Sequence, residues 1–257
     1  MKDKVALVTG GGRGIGRAIV LRLAKDGFAL CVNSLHKETV ESVVEEVRQM
    51  GRPALGIPGD VAKQRDVKRM FEDAVGEFGR LDVLVTNAGV TQVNTLDELN
   101  EEIWEKTLAI NAKGTYLCML EASRLMIKQK SGKIITIGSD FSIEGARYHV
   151  CYSASKFAVR GLTQAFAKEL APYGINVNCV TPGIIWTDMW KEADEKLSSV
   201  FGMKRGEAFE KFTKDLVLLP KPGRPEYIAP VVSFLASEDA DYITAATIPV
   251  GGGSMIF

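Results

Sequence analysis

Short runs rich in β-branched residues alternate along this chain with longer amphipathic stretches, and that alternation restricts the fold more than any other feature. The pattern predicts strands at 5–8, 28–33, 54–57, 81–86, 133–137, 176–180 and 247–250. Between them it predicts helices at about 14–26, 38–50, 64–78, 102–129, 152–171 and 225–237. A strand, a helix and a second strand of one sheet make a right-handed crossover, so the strands must run parallel. The strand runs are nearly all apolar, as strands covered on both faces must be. The expectation is an α/β chain, a single Rossmann-type domain over 1–257, with a doubly wound parallel sheet and helices on both faces. Only 186–219 breaks the rhythm. It is more charged, its helical periods are weak, and it reads as a lobe covering the substrate.

The turn after the first strand reads Thr9-Gly10-Gly11-Gly12-Arg13-Gly14-Ile15-Gly16. Glycines in a T-G-x-x-x-G-x-G pattern let backbone approach a pyrophosphate, and the helix that follows offers free N–H groups to it. Two further stretches fall where later strands end, which is where ligands bind in open parallel sheets. Asp60-Val61 follows the third strand, where a carboxylate can accept from an adenine amine. Asn87-Ala88-Gly89 ends the fourth, where small residues let a cofactor pass over the sheet edge.

Tyr152 and Lys156 stand four apart at a helix start and so share a face. A phenol ordinarily titrates near pH 10. An ammonium at about 4 Å would favour phenolate by roughly 4 kcal/mol at an intermediate dielectric, on the order of three pH units. The pair would then serve as a general acid–base. Ser139 ends the fifth strand and can come close to the Tyr152 hydroxyl while holding a carbonyl oxygen. Asn111 is a polar residue inside the apolar run Leu108-Ala109-Ile110-Asn111.

With TGGGRGIG, NAG at 87–89, Asn111, Ser139, YSASK at 152–156 and PGIIWTDM at 182–189 together, the chain resembles the short-chain dehydrogenase/reductase family over almost its whole length. The resemblance implies Tyr152 as proton donor or acceptor and Ser139 as the group positioning the carbonyl. It implies that Lys156 binds the nicotinamide ribose and lowers the Tyr152 pKa, and that Asn111 holds a relay water. Gly10, Gly12, Arg13, Gly14, Ile15 and Gly16 would line the dinucleotide, and Pro182, Gly183, Ile185 and Thr187 would frame its nicotinamide and pyrophosphate end. It further implies a homotetramer.

The family distinguishes NAD from NADP near the end of the second strand, where an acid binds the 2′-hydroxyl. Here Asn33 is followed by Ser34, and Arg13 in the glycine turn can reach a 2′-phosphate. NADP(H) is the expected cofactor, with NAD(H) as the alternative. Asp140, Glu144, Arg147, His149, Trp186, Met189 and Trp190 are expected near the substrate, with Ser139, Asp140, Tyr152, Met189 and Trp190 in contact with it. That mix fits a small carbonyl or alcohol: a diketone, hydroxyketone, ketose or polyol. The segment 152–190 is similar to acetoin/diacetyl reductases and sorbitol-type polyol dehydrogenases, although those relatives commonly carry the acid that is missing here. The segment 223–253 resembles 3-oxoacyl-carrier-protein reductases equally well, with Arg124, Lys128 and Lys130 as the basic patch such a partner needs. A dinucleotide-binding sensor without chemistry is the remote alternative.

Charge and composition narrow the field further. Lysines and arginines number 32 and acids 32, so formal net charge is zero and nothing draws the chain to nucleic acid or an anionic membrane. No apolar run reaches a membrane span, and MKDKVALVTG passes directly into a strand, so a cytoplasmic location is expected. Cys31, Cys118, Cys151 and Cys179 form no C-x-x-C pair, and His36 and His149 are in no metal-ligand spacing. No metal is expected.

Overall fold

The computed structural model describes residues 4–255; the first three residues and the last two lie outside it. Among the described residues the strands are β1 (Val5–Val8), β2 (Ala29–Ser34), β3 (Ala54–Pro58), β4 (Val83–Thr86), β5 (Gly132–Ile137), β6 (Ile175–Pro182) and β7 (Thr247–Val250). They form one seven-stranded sheet in the order β3-β2-β1-β4-β5-β6-β7, with every neighbouring pair parallel. The chain winds outward from β1 to β3, then returns to lay β4 on the other side of β1. The carboxyl ends of β1 and β4 therefore flank the crevice where strand order reverses.

The helices are α1 (Gly14–Lys25), α2 (Lys37–Gln49), α3 (Gln64–Phe78), α4 (Glu101–Leu108), α5 (Gly114–Gln129), α6 (Val150–Leu170), α7 (Asp188–Val200), α8 (Glu207–Leu216) and α9 (Pro225–Ala236). Strand residues alternate between two cores because successive side chains point to opposite faces. Ala6 and Val8 join Ile19, Val20 and Leu23 of α1 and Ile228 and Val232 of α9. Val5 and Leu7 join Met70 and Phe71 of α3 and Met119 and Met126 of α5. Both faces of β1 are apolar for that reason.

The expected strands and helices form, with three local differences. The helix expected over 102–129 is two helices, α4 and α5, separated by a wide π-type turn over Ala109–Lys113. β4 starts at Val83 because Asp82 turns its carboxylate to the Val5 N–H at 2.8 Å and to Arg80. The lobe over 186–219 holds two well-formed helices. Buried Asp194 on α7 accepts from the Gly206 N–H at 2.6 Å and the Phe209 N–H at 2.7 Å, so one carboxylate closes the α7–α8 turn. The lobe packs through Val93, Ala193, Leu197 and Ala208, with Tyr148, Trp190 and Phe212 against them.

Candidate active site

The glycine turn is built by close approach. Gly10 has φ +62°, and a Cβ on it would stand 2.8 Å from the Ala88 Cα. A Cβ on Gly16 would stand 2.1 Å from the Gly10 carbonyl oxygen, which no side chain tolerates. Asn87 fastens the turn from the other side of the crevice: its Nδ2 donates to the carbonyls of Thr9 and Gly10 at 3.0 Å each. The Thr9 hydroxyl accepts from the N–H groups of Asn87 and Ala88 at 3.0 and 3.1 Å. Arg13 precedes α1, and no side chain caps that helix. Its first-turn N–H groups are therefore available to an anion.

This turn opens on a cavity of about 260 Å³. Gly10, Arg13, Gly14, Ile15, Gly16, Asn33, Ser34, Asp60, Val61, Asn87, Ala88, Gly89, Thr187 and Met189 line it. An uncapped helix start, glycines that a Cβ would block and an elongated run of strand ends fit a dinucleotide. A larger open depression of about 550 Å³ lies around Lys4, Arg22, Asp26 and Phe234 at the amino edge of the sheet. It holds none of these features, so the smaller cavity is the candidate dinucleotide site.

The structure also separates some expected residues from the cavity wall. Gly12 faces Thr39 and Ser34. Ile185 is buried in the core on the α1/α9 face, and Pro182 ends β6. Gly183 packs against Asp140, Gly251 and Ser254. Asn33 donates to the Ile57 and Gly59 carbonyls, tying β2 to β3 where both end at the cavity. Arg13 is two-thirds exposed and paired with Asp188 only at 3.9 Å. Leu35, His36, Gly59, Val90, Ile110 and Asp188 line the cavity without having been singled out from the sequence. The rule that ligands sit beyond strand ends points to the residues after β2, β3 and β4, and would have found Leu35, Gly59 and Val90.

Asn111 and Lys156 lie behind Gly89 of the cavity wall, outside the lining itself. The Ser139 side chain acts on the Tyr152 phenol in the direction that lowers its pKa. Lys156 is 5% exposed, and its Nζ donates to the Ile137 carbonyl at 2.9 Å. That nitrogen lies 5.5 Å from the Tyr152 ring centre. A Cβ on cavity-lining Gly89 would stand 3.8 Å from it, which places the ammonium at the cavity. Burial, not the lysine, dominates the tyrosine in the chain alone. It pushes the phenol up to about 12 and the ammonium down to about 8. In the chain alone, desolvation is the largest influence on the Tyr152 phenol.

Asn111 sits in the π turn and is buried. Its Oδ1 accepts from the Val90 N–H at 2.8 Å, and its Nδ2 donates to the Val90 carbonyl at 2.8 Å and to Ser155 Oγ at 2.9 Å. Ser155 in turn donates to the Tyr152 carbonyl at 2.7 Å. The amide clamps the loop after β4 to the helix that carries Tyr152.

The substrate wall also differs from expectation. Asp140 is buried and turned toward the C-terminal segment, not the cleft. Trp190 packs into the lobe, with its ring 5.5 Å from that of Phe209. Met189 reaches the cavity. His149 is buried against Phe141 at 5.1 Å between ring centres, and burial lowers its pKa. Glu144 and Arg147 are exposed. Within one chain, Arg124, Lys128 and Lys130 surround the end of α5, immediately before β5, and so lie at the amino edge of the sheet, away from the cleft. Among the described residues no cluster of His, Cys, Asp and Glu is arranged to hold a metal, and no helix is long and apolar enough to cross a membrane.

Comparison with known proteins places this arrangement among relatives. A family model described as short chain dehydrogenase matches residues 4–198. The chain is 41% identical over 251 residues to a 3-oxoacyl-(acyl-carrier-protein) reductase, FabG, of Staphylococcus aureus, covering 97% of each. It is 39% identical over 253 residues to a diacetyl reductase, (S)-acetoin forming, of Staphylococcus epidermidis, covering 98% of each. Among solved structures, levodione reductase superposes with a TM-score of 0.94 at 31% identity over the full length of both chains. An actinorhodin polyketide ketoreductase crystallised with NADPH superposes at 0.95 with 32% identity, covering 99% of this chain and 98% of that one.

Proposed function

The chain belongs to the short-chain dehydrogenase family of oxidoreductases, and we propose that it is an NADP(H)-preferring reductase of small ketones with Tyr152 as its general acid. The observation that carries this reading is the buried Lys156 ammonium, 5.5 Å from the Tyr152 ring centre and next to Gly89 of a glycine-walled cavity, with Ser139 acting on the same phenol. When bound, the reduced dinucleotide supplies a hydride to the carbonyl carbon. The chain's residues do the rest. Ser139 donates a hydrogen bond to the carbonyl oxygen and fixes it against Tyr152. The Tyr152 hydroxyl gives its proton to that oxygen as negative charge develops there. Lys156, held by Ile137, supplies positive charge that stabilises the resulting phenolate. Asn111 and Ser155 position the helix turn carrying Tyr152.

The glycine turn and the start of α1 would hold the pyrophosphate, and Asp60 with Val61 the adenine. Ser34 leaves the end of β2 without an acid, and Arg13, loosely paired, is placed on the same cavity for a 2′-phosphate. The NADPH in the ketoreductase relative's structure supports that preference. Pro182, Gly183 and Ile185 would act by shaping the backbone beneath the nicotinamide, and Thr187 and Met189 by contact. The lobe of α7 and α8 would cover the substrate.

The diacetyl reductase relative supports a diketone or hydroxyketone. The FabG relatives support a second reading, reduction of a 3-oxoacyl thioester on a carrier protein. A cytoplasmic homotetramer completes the proposal. The four cysteines are free and buried, and Trp104, Tyr116 and Phe157 expose apolar surface on α4, α5 and α6. Nucleic acid and membrane are not expected partners. The test is initial-rate absorbance with NADPH and NADH in parallel against diacetyl, acetoin, fructose, sorbose and an acetoacetyl thioester. Fast NADPH-dependent turnover of a diketone or ketose supports the proposal. Turnover of the thioester alone moves the protein to the second reading, and a clear preference for NADH removes the role given to Arg13.

A further inference from the structure

Ser139 stands at the start of a single 3₁₀ turn, Asp140–Ser142, between β5 and α6. Its Oγ accepts from the Phe141 N–H at 3.2 Å. Its own N–H donates to the buried Ser142 Oγ at 3.0 Å. The turn thus fixes the Ser139 oxygen and leaves its proton to be donated. One turn of this kind has too few internal hydrogen bonds to hold a shape by itself. Its position depends on what grips it from outside.

All three residues of the turn are anchored. Ser142 is packed against Gly138, where an added Cβ would stand 2.7 Å from its Oγ. The Phe141 ring meets the Tyr152 ring edge to face, 6.0 Å between centres. Asp140 is 7% exposed, and its Oδ2 accepts from the Ser254 hydroxyl at 2.5 Å, across 114 residues of sequence. Two glycines make room for that contact. A Cβ on Gly183 would stand 2.4 Å from Ser254 Oγ and 2.8 Å from Asp140 Oδ2, and one on Gly251 would stand 2.1 Å from Ser254 Oγ. The turn holding Ser254 is tied in addition to the lobe, because the Gly252 carbonyl accepts from the Leu219 N–H at 3.1 Å, just beyond α8. A line of contacts therefore runs from the lobe, through the turn after β7, to the residue beside Ser139. Asp140 makes its contact at a cost to the fold. Its Oδ1 is covered and has no hydrogen-bond partner among the described residues, and burial pushes its pKa up to about 6. A half-satisfied buried carboxylate is destabilising, so stability alone does not account for it.

We propose that Asp140 and Ser254 are positioning residues: their hydrogen bond ties the turn after β5 to the turn after β7 and holds the Ser139 hydroxyl where the substrate carbonyl oxygen meets it. The inference rests on Ser139 holding that oxygen in the reaction proposed above.

The test is a set of variants assayed for reduction of the fastest panel ketone with NADPH, with NADPH affinity measured separately by nicotinamide fluorescence. Asp140→Ala and Ser254→Ala each lower kcat by about 10–100-fold, the effect of moving a reacting group by about 1 Å. NADPH affinity stays within about twofold of the parent. The double variant D140A/S254A is no slower than the slower single, because both changes remove one bond. Asp140→Asn keeps an oxygen acceptor for Ser254 and recovers kcat to within about fivefold of the parent. Added to Ser139→Ala, D140A lowers the residual rate by less than about twofold, because the serine it positions is gone. A merely structural role lowers that rate as much as in the parent. If D140A does not fold, S254A in the parent and in S139A carries the comparison. If S139A is too slow to measure, the double variant and the recovery in D140N decide. Effects that multiply in D140A/S254A, a D140N as slow as D140A, or singles at the parent kcat while S139A is impaired overturn the role of the pair and leave Ser139 assigned. S139A at the parent rate overturns the role of Ser139 and the proposal with it.

Discussion

Replacing Lys156 by methionine should make the protein more stable at neutral pH while disabling it. The ammonium is buried, its Nζ has the Ile137 carbonyl as acceptor at 2.9 Å, and burial lowers its pKa from 10.5 to about 8. Above pH 10.5 the amine is neutral in both folded and unfolded chains. As the pH falls from 10.5 to 8, the unfolded chain takes up a proton that the folded chain refuses. The folded state loses about 3 kcal/mol over that window, at 1.36 kcal/mol per pH unit, and the loss stays constant below pH 8. Methionine has a similar length and carries no charge. It leaves the Ile137 carbonyl without its donor, which costs about 1–2 kcal/mol. The net gain at pH 7 is then about 1–2 kcal/mol. At about 2–4 °C per kcal/mol for a chain of this size, Tm rises by roughly 2–8 °C. Thermal unfolding of the cofactor-free parent and Lys156→Met at pH 7 and pH 10 measures it. The gain should vanish or reverse by pH 10. A variant destabilised at pH 7 by an amount that is the same at pH 10 would refute the desolvation reasoning.

Other perturbations separate binding from architecture. Arg13→Ala should weaken NADPH by about 10–100-fold, the value of a charge-assisted phosphate contact, and leave NADH nearly unchanged; paired titrations of the two cofactors check this. Gly16→Ala puts a Cβ 2.1 Å from the Gly10 carbonyl, so the turn must shift. Dinucleotide affinity measured by calorimetry should fall at least about tenfold. Asn111→Ala strips partners from the Val90 N–H and carbonyl and from Ser155. Urea unfolding should show a loss of about 2–4 kcal/mol, with the same variant impaired in kcat.

The sheet, its strand order and the glycine turn were legible because each follows from local pattern: apolar runs at strand length, helical periods between them, glycine where backbones touch. Tyr152, Lys156 and Ser139 were legible for the same reason, as residue types at fixed offsets beside strand and helix ends. What escaped depends on distant partners. The π turn in the middle of the expected 102–129 helix is held by Asn111 reaching Val90 and Ser155, 21 and 44 residues away. Nothing in LAINA spells that break. Asp140 reads as a polar wall residue until Ser254, 114 residues on, turns it inward. Trp190 reads as a substrate contact until the lobe folds and Phe209 meets it. Sequence gives the offset of Tyr152 to Lys156 and not the degree of burial, and in the chain alone burial is the largest influence on the phenol.

The most direct measurement is Tyr152→Phe, assayed for NADPH binding by nicotinamide fluorescence and for reduction of the fastest ketone. The phenyl ring keeps the packing against Phe141 and removes only the hydroxyl. NADPH affinity should stay within about twofold of the parent, while the reduction rate falls by about 10²–10⁴-fold, the usual contribution of a positioned acid. A variant that binds NADPH and reduces the ketone at the parent rate would contradict the assignment of Tyr152 as the acid.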